Sequence, residues 1–103
     1  MYSAIQVAQE ILQNYPEYST ESLTCTSYDY VNGIYSFIDG EENKTYTVTV
    51  EDVAQTIKIL MSKMLDGKRF FQDYWDYNDL GSYDLEVVDM ILQFTIFGSV
   101  VYG

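Results

Sequence analysis

The apolar positions near the start of the chain repeat at intervals of three and four residues. The positions that share this spacing are Ala4, Val7, Ala8, Ile11, Leu12 and Tyr15. This period is typical of one face of an α-helix, and the polar residues between these positions predict a solvent-facing side. We expect Ser3 to cap the helix and Pro16 to end it, because the residue before a proline disfavours the α conformation.

The next region, residues 23–50, alternates apolar with polar side chains, which predicts three antiparallel strands. The segment Val31-Asn32-Gly33-Ile34 predicts a hairpin with a two-residue type I′ turn, because both central residues of that turn need positive φ. This turn would place Tyr30 opposite Tyr35 and Tyr28 opposite Phe37.

A second turn is predicted at residues 40–43, with Asp39 opposite Lys44. Side chains alternate between the two faces of a strand, so both turns together assign the aromatic side chains to one face, which should contact the core. The residues assigned to that face are Tyr28, Tyr30, Tyr35, Phe37, Tyr46 and Val48.

A second helix is predicted to begin at Thr49 or Val50, where Thr49 and Asp52 form an imperfect capping box, and Gly67 stands in the place of a C-terminal glycine cap. Its apolar stripe would be Val53, Ile57, Leu60, Met61 and Met64. Near its end lie four of the five basic residues, which would complement the helix dipole: Lys58, Lys63, Lys68 and Arg69.

The last third of the chain predicts a short helix at Phe70 to Asn78 and a longer one after Ser82 that Gly98 ends. The longer helix is apolar around most of its circumference, so the core or a second copy should cover it. The contacts expected for a homodimer are Met90, Phe94, Phe97, Val100 and Val101. We predict one α+β domain, residues 1–103, with a three-stranded antiparallel β-meander, one helix before it and two or three after it packed on one face.

The amino-acid composition argues against several classes of function. The chain of 103 residues has 16 acidic and 5 basic side chains, a net charge of -11, no His and one Cys. Direct nucleic-acid binding is not expected, because it needs clustered Lys and Arg. Because the chain has no His and one Cys, we also expect neither a zinc site nor a histidine general base. The sequence therefore predicts a protein that is not an enzyme and has no cofactor.

The N-terminus has neither a basic segment nor a long apolar run, so no secretory signal is predicted. The apolar run from Met90 to Val101 is too short to span a bilayer, and an acidic chain is repelled by anionic lipid. We expect a cytoplasmic protein without membrane contact, with Cys25 a reduced structural residue.

The main candidate for function is an acidic segment, residues 73–89, which holds six acids and no base. Acids three or four positions apart on a helix lie about 5–6 Å apart, a spacing of the same order as the phosphates of a nucleic-acid strand. The alternative is a solvated face that keeps the protein soluble. The partner-binding residues predicted here, the acids with the aromatic residues between them, are Asp73, Tyr74, Trp75, Asp76, Tyr77, Asp79, Tyr83, Asp84, Glu86 and Asp89.

The acids suggest two other kinds of site. Residues 76–81 resemble the start of a calcium-binding EF-hand loop, but Leu80 replaces an oxygen ligand and Val87 stands where the bidentate acid belongs. Hydrolysis by paired carboxylates has no specific signal in so acidic a chain. We therefore predict no metal site and no catalytic residues.

The small size and strong acidity are similar to those of phage-encoded DNA mimics and of anti-CRISPR or anti-restriction inhibitors. This resemblance is compositional and carries no shared motif. It implies an inhibitor in the host cytoplasm that blocks the basic nucleic-acid-binding groove of a partner protein by competing with DNA or RNA. The alternative is a structural or adaptor subunit that homo-oligomerises through its apolar C-terminal helix.

Overall fold

The computed structural model describes residues 3–14, 23–61, 64–65, 68–69, 85–99 and 101. It confirms the α+β prediction, with a three-stranded antiparallel sheet in the order β1-β2-β3 and a separate two-stranded pair β4-β5. The elements in chain order are α1 (Ala4–Asn14), β1 (Leu23–Asp29), β2 (Ile34–Asp39), β3 (Lys44–Thr49), α2 (Val50–Leu60), β4 (Met64–Leu65), β5 (Lys68–Arg69) and α3 (Leu85–Phe97).

Helix α1 begins as its sequence predicts. The Gln6 N–H donates to Ser3 Oγ at 3.2 Å, and the Ser3 N–H donates to Gln6 Oε1 at 2.9 Å. Two N–H groups that have no partner within the helix are thereby satisfied. The predicted apolar face is buried at Ala4, Val7, Ala8, Ile11 and Leu12. Tyr15 and Pro16 lie outside the described residues.

The register predicted for the β1–β2 hairpin is wrong. Asp29, not Val31, pairs with Ile34, and Tyr28 pairs with Tyr35. The loop therefore has four residues, 30–33. Of its residues Gly33 alone has positive φ, at 66°. A type I′ turn needs positive φ at both central residues, so this loop is of another kind.

The β2–β3 hairpin has the register that the sequence predicts. Asp39 pairs with Lys44, Phe37 with Tyr46 and Tyr35 with Val48. Its loop, residues 40–43, ends on Asn43, whose φ is 57°. The left-handed conformation is tolerated by Asn better than by most residues.

The predicted aromatic face is only partly in the core. Its buried members are Tyr35, Phe37 and Val48, and Tyr46 is half-buried. Tyr28 and Tyr30, 52% and 49% exposed, were wrongly assigned to the core. The four-residue loop places Tyr28 opposite Tyr35, and an irregularity between Cys25 and Ser27 further along β1 places Cys25 opposite Phe37.

Helix α2 begins as predicted and ends earlier. Thr49 Oγ1 accepts from the Asp52 N–H at 3.1 Å and the Thr49 N–H donates to Asp52 Oδ2 at 3.0 Å, which completes the capping box. Val53, Ile57 and Leu60 are buried.

The predicted continuation of α2 through Met61 and Met64 is wrong. Met61 follows the helix and is 40% exposed, whereas Met64 lies in β4, opposite Arg69 in β5. Leu65 pairs with Lys68, so two residues separate the paired strands.

The basic residues are consequently distributed differently from the prediction. Lys58 lies in the last turn of α2, but Lys68 and Arg69 belong to β5. Lys63 and Gly67 lie outside the described residues, as does the predicted helix from Phe70 to Asn78.

Helix α3 packs against the rest of the chain and ends at Gly98, which has a φ of 78°. Val87, Val88, Ile91 and Leu92 are fully or almost fully buried. Among the side chains proposed for a homodimer, Met90 and Phe94 pack against the core and the Phe97 ring lies 5.4 Å from that of Tyr46. Val101 is 54% exposed, and Val100 lies outside the described residues. Self-association through α3 stays a prediction. In the part of the chain that the structure describes, no helix is both long enough and apolar enough to cross a membrane.

Candidate protein-binding surface

Most of the acidic segment lies outside the residues that the structure describes. Its residues outside the described ones are Asp73, Tyr74, Trp75, Asp76, Tyr77, Asp79, Tyr83 and Asp84. Glu86 belongs to the first turn of α3, with its side chain not described. Asp89 is the member whose side chain can be placed.

Asp89 takes part in a hydrogen-bonded group on α3. Gln93 Nε2 donates to Asp89 Oδ2 at 2.6 Å, and Gln93 Oε1 accepts from the Val101 N–H at 2.8 Å. Gln93 is fully buried and Asp89 half-buried, so this carboxylate is held in place rather than freely solvated. Nothing in the sequence pattern singles out Gln93, because its role depends on the return of residue 101 to the helix.

Acidic side chains outside the predicted segment also form part of the surface. Where side chains are described, eight are carboxylates and two are lysines. Five of the carboxylates are exposed: Asp29, Glu41, Glu42, Glu51 and Asp52. They lie at the two ends of β2, which are about 17 Å apart for a strand of this length. Each end of the sheet therefore carries negative charge.

At one end, the β1–β2 loop contacts the start of α2. The Val50 N–H donates to the Gly33 carbonyl at 3.0 Å, which brings Glu51 and Asp52 to the same end of the sheet as Asp29. Asp29 accepts from the Asn32 side chain at 2.7 Å and from the backbone N–H groups of Val31 and Asn32. These bonds, the Asn32 side chain first, hold the pKa of Asp29 below its ordinary value, so its charge persists to low pH.

At the other end, Asp39 organises the β2–β3 loop. Its Oδ1 accepts from the Glu41 N–H at 2.8 Å and from the Glu42 N–H at 3.4 Å, and the residue is fully buried. Glu42 lies 3.8 Å from Lys44, with both side chains more than half exposed. An exposed ion pair contributes little to stability, about 0–1 kcal/mol, but it offsets part of the local charge.

Three tyrosines form a connected group beside the first loop. The Tyr30 ring centroid lies 4.6 Å from that of Tyr28 and 6.0 Å from that of buried Tyr35. The Tyr30 hydroxyl donates to the Gln13 carbonyl at 3.3 Å, in the last turn of α1. The sequence predicts a core position for all three rings, but Tyr28 and Tyr30 are about half exposed, although Tyr28 lies opposite buried Tyr35. Burial depends on which elements pack over a position, and no local pattern indicates this.

Groups that could support metal binding or catalysis are sparse in the described structure. No cluster of three or more Cys, Asp or Glu side chains with metal-binding geometry occurs among the residues it describes. Cys25 is a free, half-buried thiol that donates to the Ser27 carbonyl at 3.6 Å. Desolvation raises the pKa of this thiol, which disfavours the reactive thiolate. The residues of the calcium-loop alternative, 76–81, lie outside the described part.

Comparison with known proteins provides no family and no relative. No protein-family model, curated protein or solved structure matches the chain.

Proposed function

We propose that this protein is a small acidic inhibitor that binds the basic, nucleic-acid-binding groove of a partner protein. The observation that supports this most is the charge: 16 acidic against 5 basic residues in 103, a net charge of -11. Like charges at this density repel one another and destabilise the compact state, so solubility alone does not require so many. Binding to a partner of opposite charge would account for the excess of acidic over basic residues.

The distribution of charge supports the same proposal. The acidic segment has six acids without a base, and the exposed carboxylates at both ends of the sheet add to the negative field. A field of one sign speeds the encounter with a basic protein and makes the affinity decrease with salt. The aromatic residues Tyr74, Trp75, Tyr77 and Tyr83 would supply the apolar contacts that charge alone lacks.

In this mechanism the carboxylates take the positions that nucleic-acid phosphates occupy in the partner's groove. Acids at the edge of the contact would act mainly on the association rate, and desolvated acids on the dissociation rate. Inhibition would then be competitive with DNA or RNA and would involve no chemical step.

The test begins with the partner, isolated from the natural host with the immobilised protein and identified by mass spectrometry. Binding of the purified partner is then measured for Asp73→Asn/Asp76→Asn/Asp79→Asn and for Asp84→Asn/Glu86→Gln/Asp89→Asn. We expect each triple variant to weaken binding at least tenfold and to lose competition with nucleic acid. Far-UV circular dichroism checks that each variant folds. This check is most important for the second variant, because Asp89 accepts a hydrogen bond from buried Gln93.

The matched control is Glu41→Gln/Glu42→Gln, which removes charge from the β2–β3 loop. If affinity decreases equally per charge for the control and the triple variants, the interaction depends on net charge and not on the acidic segment. If neither triple variant changes binding or inhibition, the acidic segment is a solvated face and the proposal fails.

A further inference from the structure

The tip of the β1–β2 hairpin exposes apolar side chains beside acidic ones. Tyr28 is 52% exposed and Val31 is 94% exposed. A valine this exposed gains nothing from burial within its own chain, and half of the Tyr28 side chain is also open to solvent. Tyr is among the residues enriched at protein-binding hot spots.

The Tyr28 ring is held in position before any partner arrives. It packs on Tyr30, which is itself fixed by its hydroxyl bond to Gln13 and by its contact with buried Tyr35. An aromatic side chain that is already ordered loses little conformational entropy when it is bound. This distinguishes Tyr28 from an exposed side chain that rotates freely.

The charge around the tip is negative. Asp29 lies next to Tyr28 in the chain, and the Gly33–Val50 hydrogen bond brings the first turn of α2, with Glu51 and Asp52, to this end of the sheet. Of the two lysines whose side chains are described, Lys44 lies at the opposite end of the sheet and Lys58 in the last turn of α2. Side chains alternate along a strand, so Asp29 contributes its field rather than the same contact surface as Tyr28.

We propose that this hairpin tip, Tyr28 to Val31 with the adjacent acids, is a docking surface for an arginine side chain of a basic protein. A guanidinium stacks on an aromatic face while it is attracted by carboxylates, and its methylene stem can pack on apolar atoms. A lysine ammonium is a compact and strongly hydrated charge that stacks less well. The inference rests on the proposed function in that it takes the partner to be basic, and it adds which basic residue is favoured and where it binds.

The experiment compares two fluorescein-labelled peptides, octa-arginine and octa-lysine, by fluorescence anisotropy. We expect the protein to bind octa-arginine about two- to fivefold more tightly, the range for an exposed cation–π contact. Tyr28→Thr should abolish this preference without changing octa-lysine binding, and Tyr28→Phe, which keeps the ring, should retain it. The control Glu41→Gln/Glu42→Gln should weaken the binding of both peptides alike and leave the ratio of the two affinities unchanged.

A second measurement does not depend on a variant. Octa-arginine added to the ¹⁵N-labelled protein should shift the amide signals of residues 28–31, and shifts confined to other regions would overturn the proposal. Equal binding of the two peptides, or a preference that Tyr28→Thr retains, would also overturn it. These outcomes are separate from those that test the proposed function. If the unmodified protein does not compete with nucleic acid for its partner, the inhibitor proposal alone fails. If the unmodified protein does not prefer octa-arginine, the docking surface alone fails.

Discussion

The two hairpins of the sheet are built alike. In each, an Asp ends the first strand, its Oδ1 accepts the N–H groups two and three residues ahead, and a four-residue loop follows. The last loop residue has positive φ in both, 66° at Gly33 and 57° at Asn43. The register prediction nevertheless succeeded for the second hairpin and failed for the first.

The difference lies in a competing signal. Asn32-Gly33 is the strongest short-range indicator of a two-residue turn, and the register prediction rested on it without considering Asp29 as a cap. A turn dipeptide therefore has to be weighed together with the capping residue before it and the pairing on both sides.

The hairpins also differ in their surroundings. Asp39 is fully buried, whereas Asp29 is exposed, and Gly33 packs against α2 while Asn43 is exposed. Equivalent positions in the two loops should therefore respond unequally to the same substitution.

The largest effect is expected for Gly33→Val. The left-handed conformation is costly for a β-branched residue, and the Cβ would lie 3.0 Å from Val50 Cγ2. We expect a loss of about 3 kcal/mol in the free energy of unfolding, a Tm decrease of more than about 10 °C in a thermal melt. Gly98→Ala is the control, because φ there is also positive but no atom lies within 4 Å of the added Cβ. A melt that Gly33→Val leaves unchanged would contradict this account of the loop.

The next largest effect is expected when the two capping acids, Asp39 and Asp29, are each replaced by alanine. Asp39→Ala removes a buried carboxylate that accepts two N–H groups, and we expect it to cost about 2 kcal/mol in denaturant unfolding. Asp29→Ala should cost less, because water reaches the groups that it leaves unpaired. Asp39→Asn, which keeps an acceptor oxygen, should recover part of the loss. Equal losses at the two alanine variants would mean that burial does not distinguish the hairpins.

A smaller effect is expected from the titration of Asp29. Its pKa is lowered in the folded state from an ordinary 3.8, so the charged form stabilises the fold above that pH. The stabilisation is lost as pH falls below 3.8 and through the folded pKa. The difference in unfolding free energy between the wild type and Asp29→Asn should therefore be constant above about pH 5 and shrink below pH 4. A carboxyl titration by NMR that gives Asp29 a pKa of 3.8 or higher would contradict it.

The smallest effect is expected for Asn43→Gly. Glycine adopts the left-handed conformation without strain but has more freedom in the unfolded chain, so the two contributions nearly cancel. We expect a change of less than about 0.5 kcal/mol. Asn43→Val, the counterpart of Gly33→Val, should be clearly destabilising yet milder than it. If it were worse, the contact between Gly33 and Val50 would not be what separates the two loops.

The sequence by itself determined the elements whose signals are local. The apolar period of α1, the capping boxes at Ser3 and Thr49 and the β2–β3 register all depend on residues a few positions apart. The net charge of -11 follows from composition alone, and with it the proposal of a basic partner. Of the predicted site, the structure describes only the side chain of Asp89.

Tertiary structure decided the features that depend on distant residues. The Gly33–Val50 contact joins the first hairpin to α2, and the Val101–Gln93 bond joins the tail to α3. Tyr28 and Tyr35 have the same residue type and face each other in the sheet, yet one is half exposed and the other buried. Burial is set by which elements pack over a position, and no local pattern in the sequence contains that information.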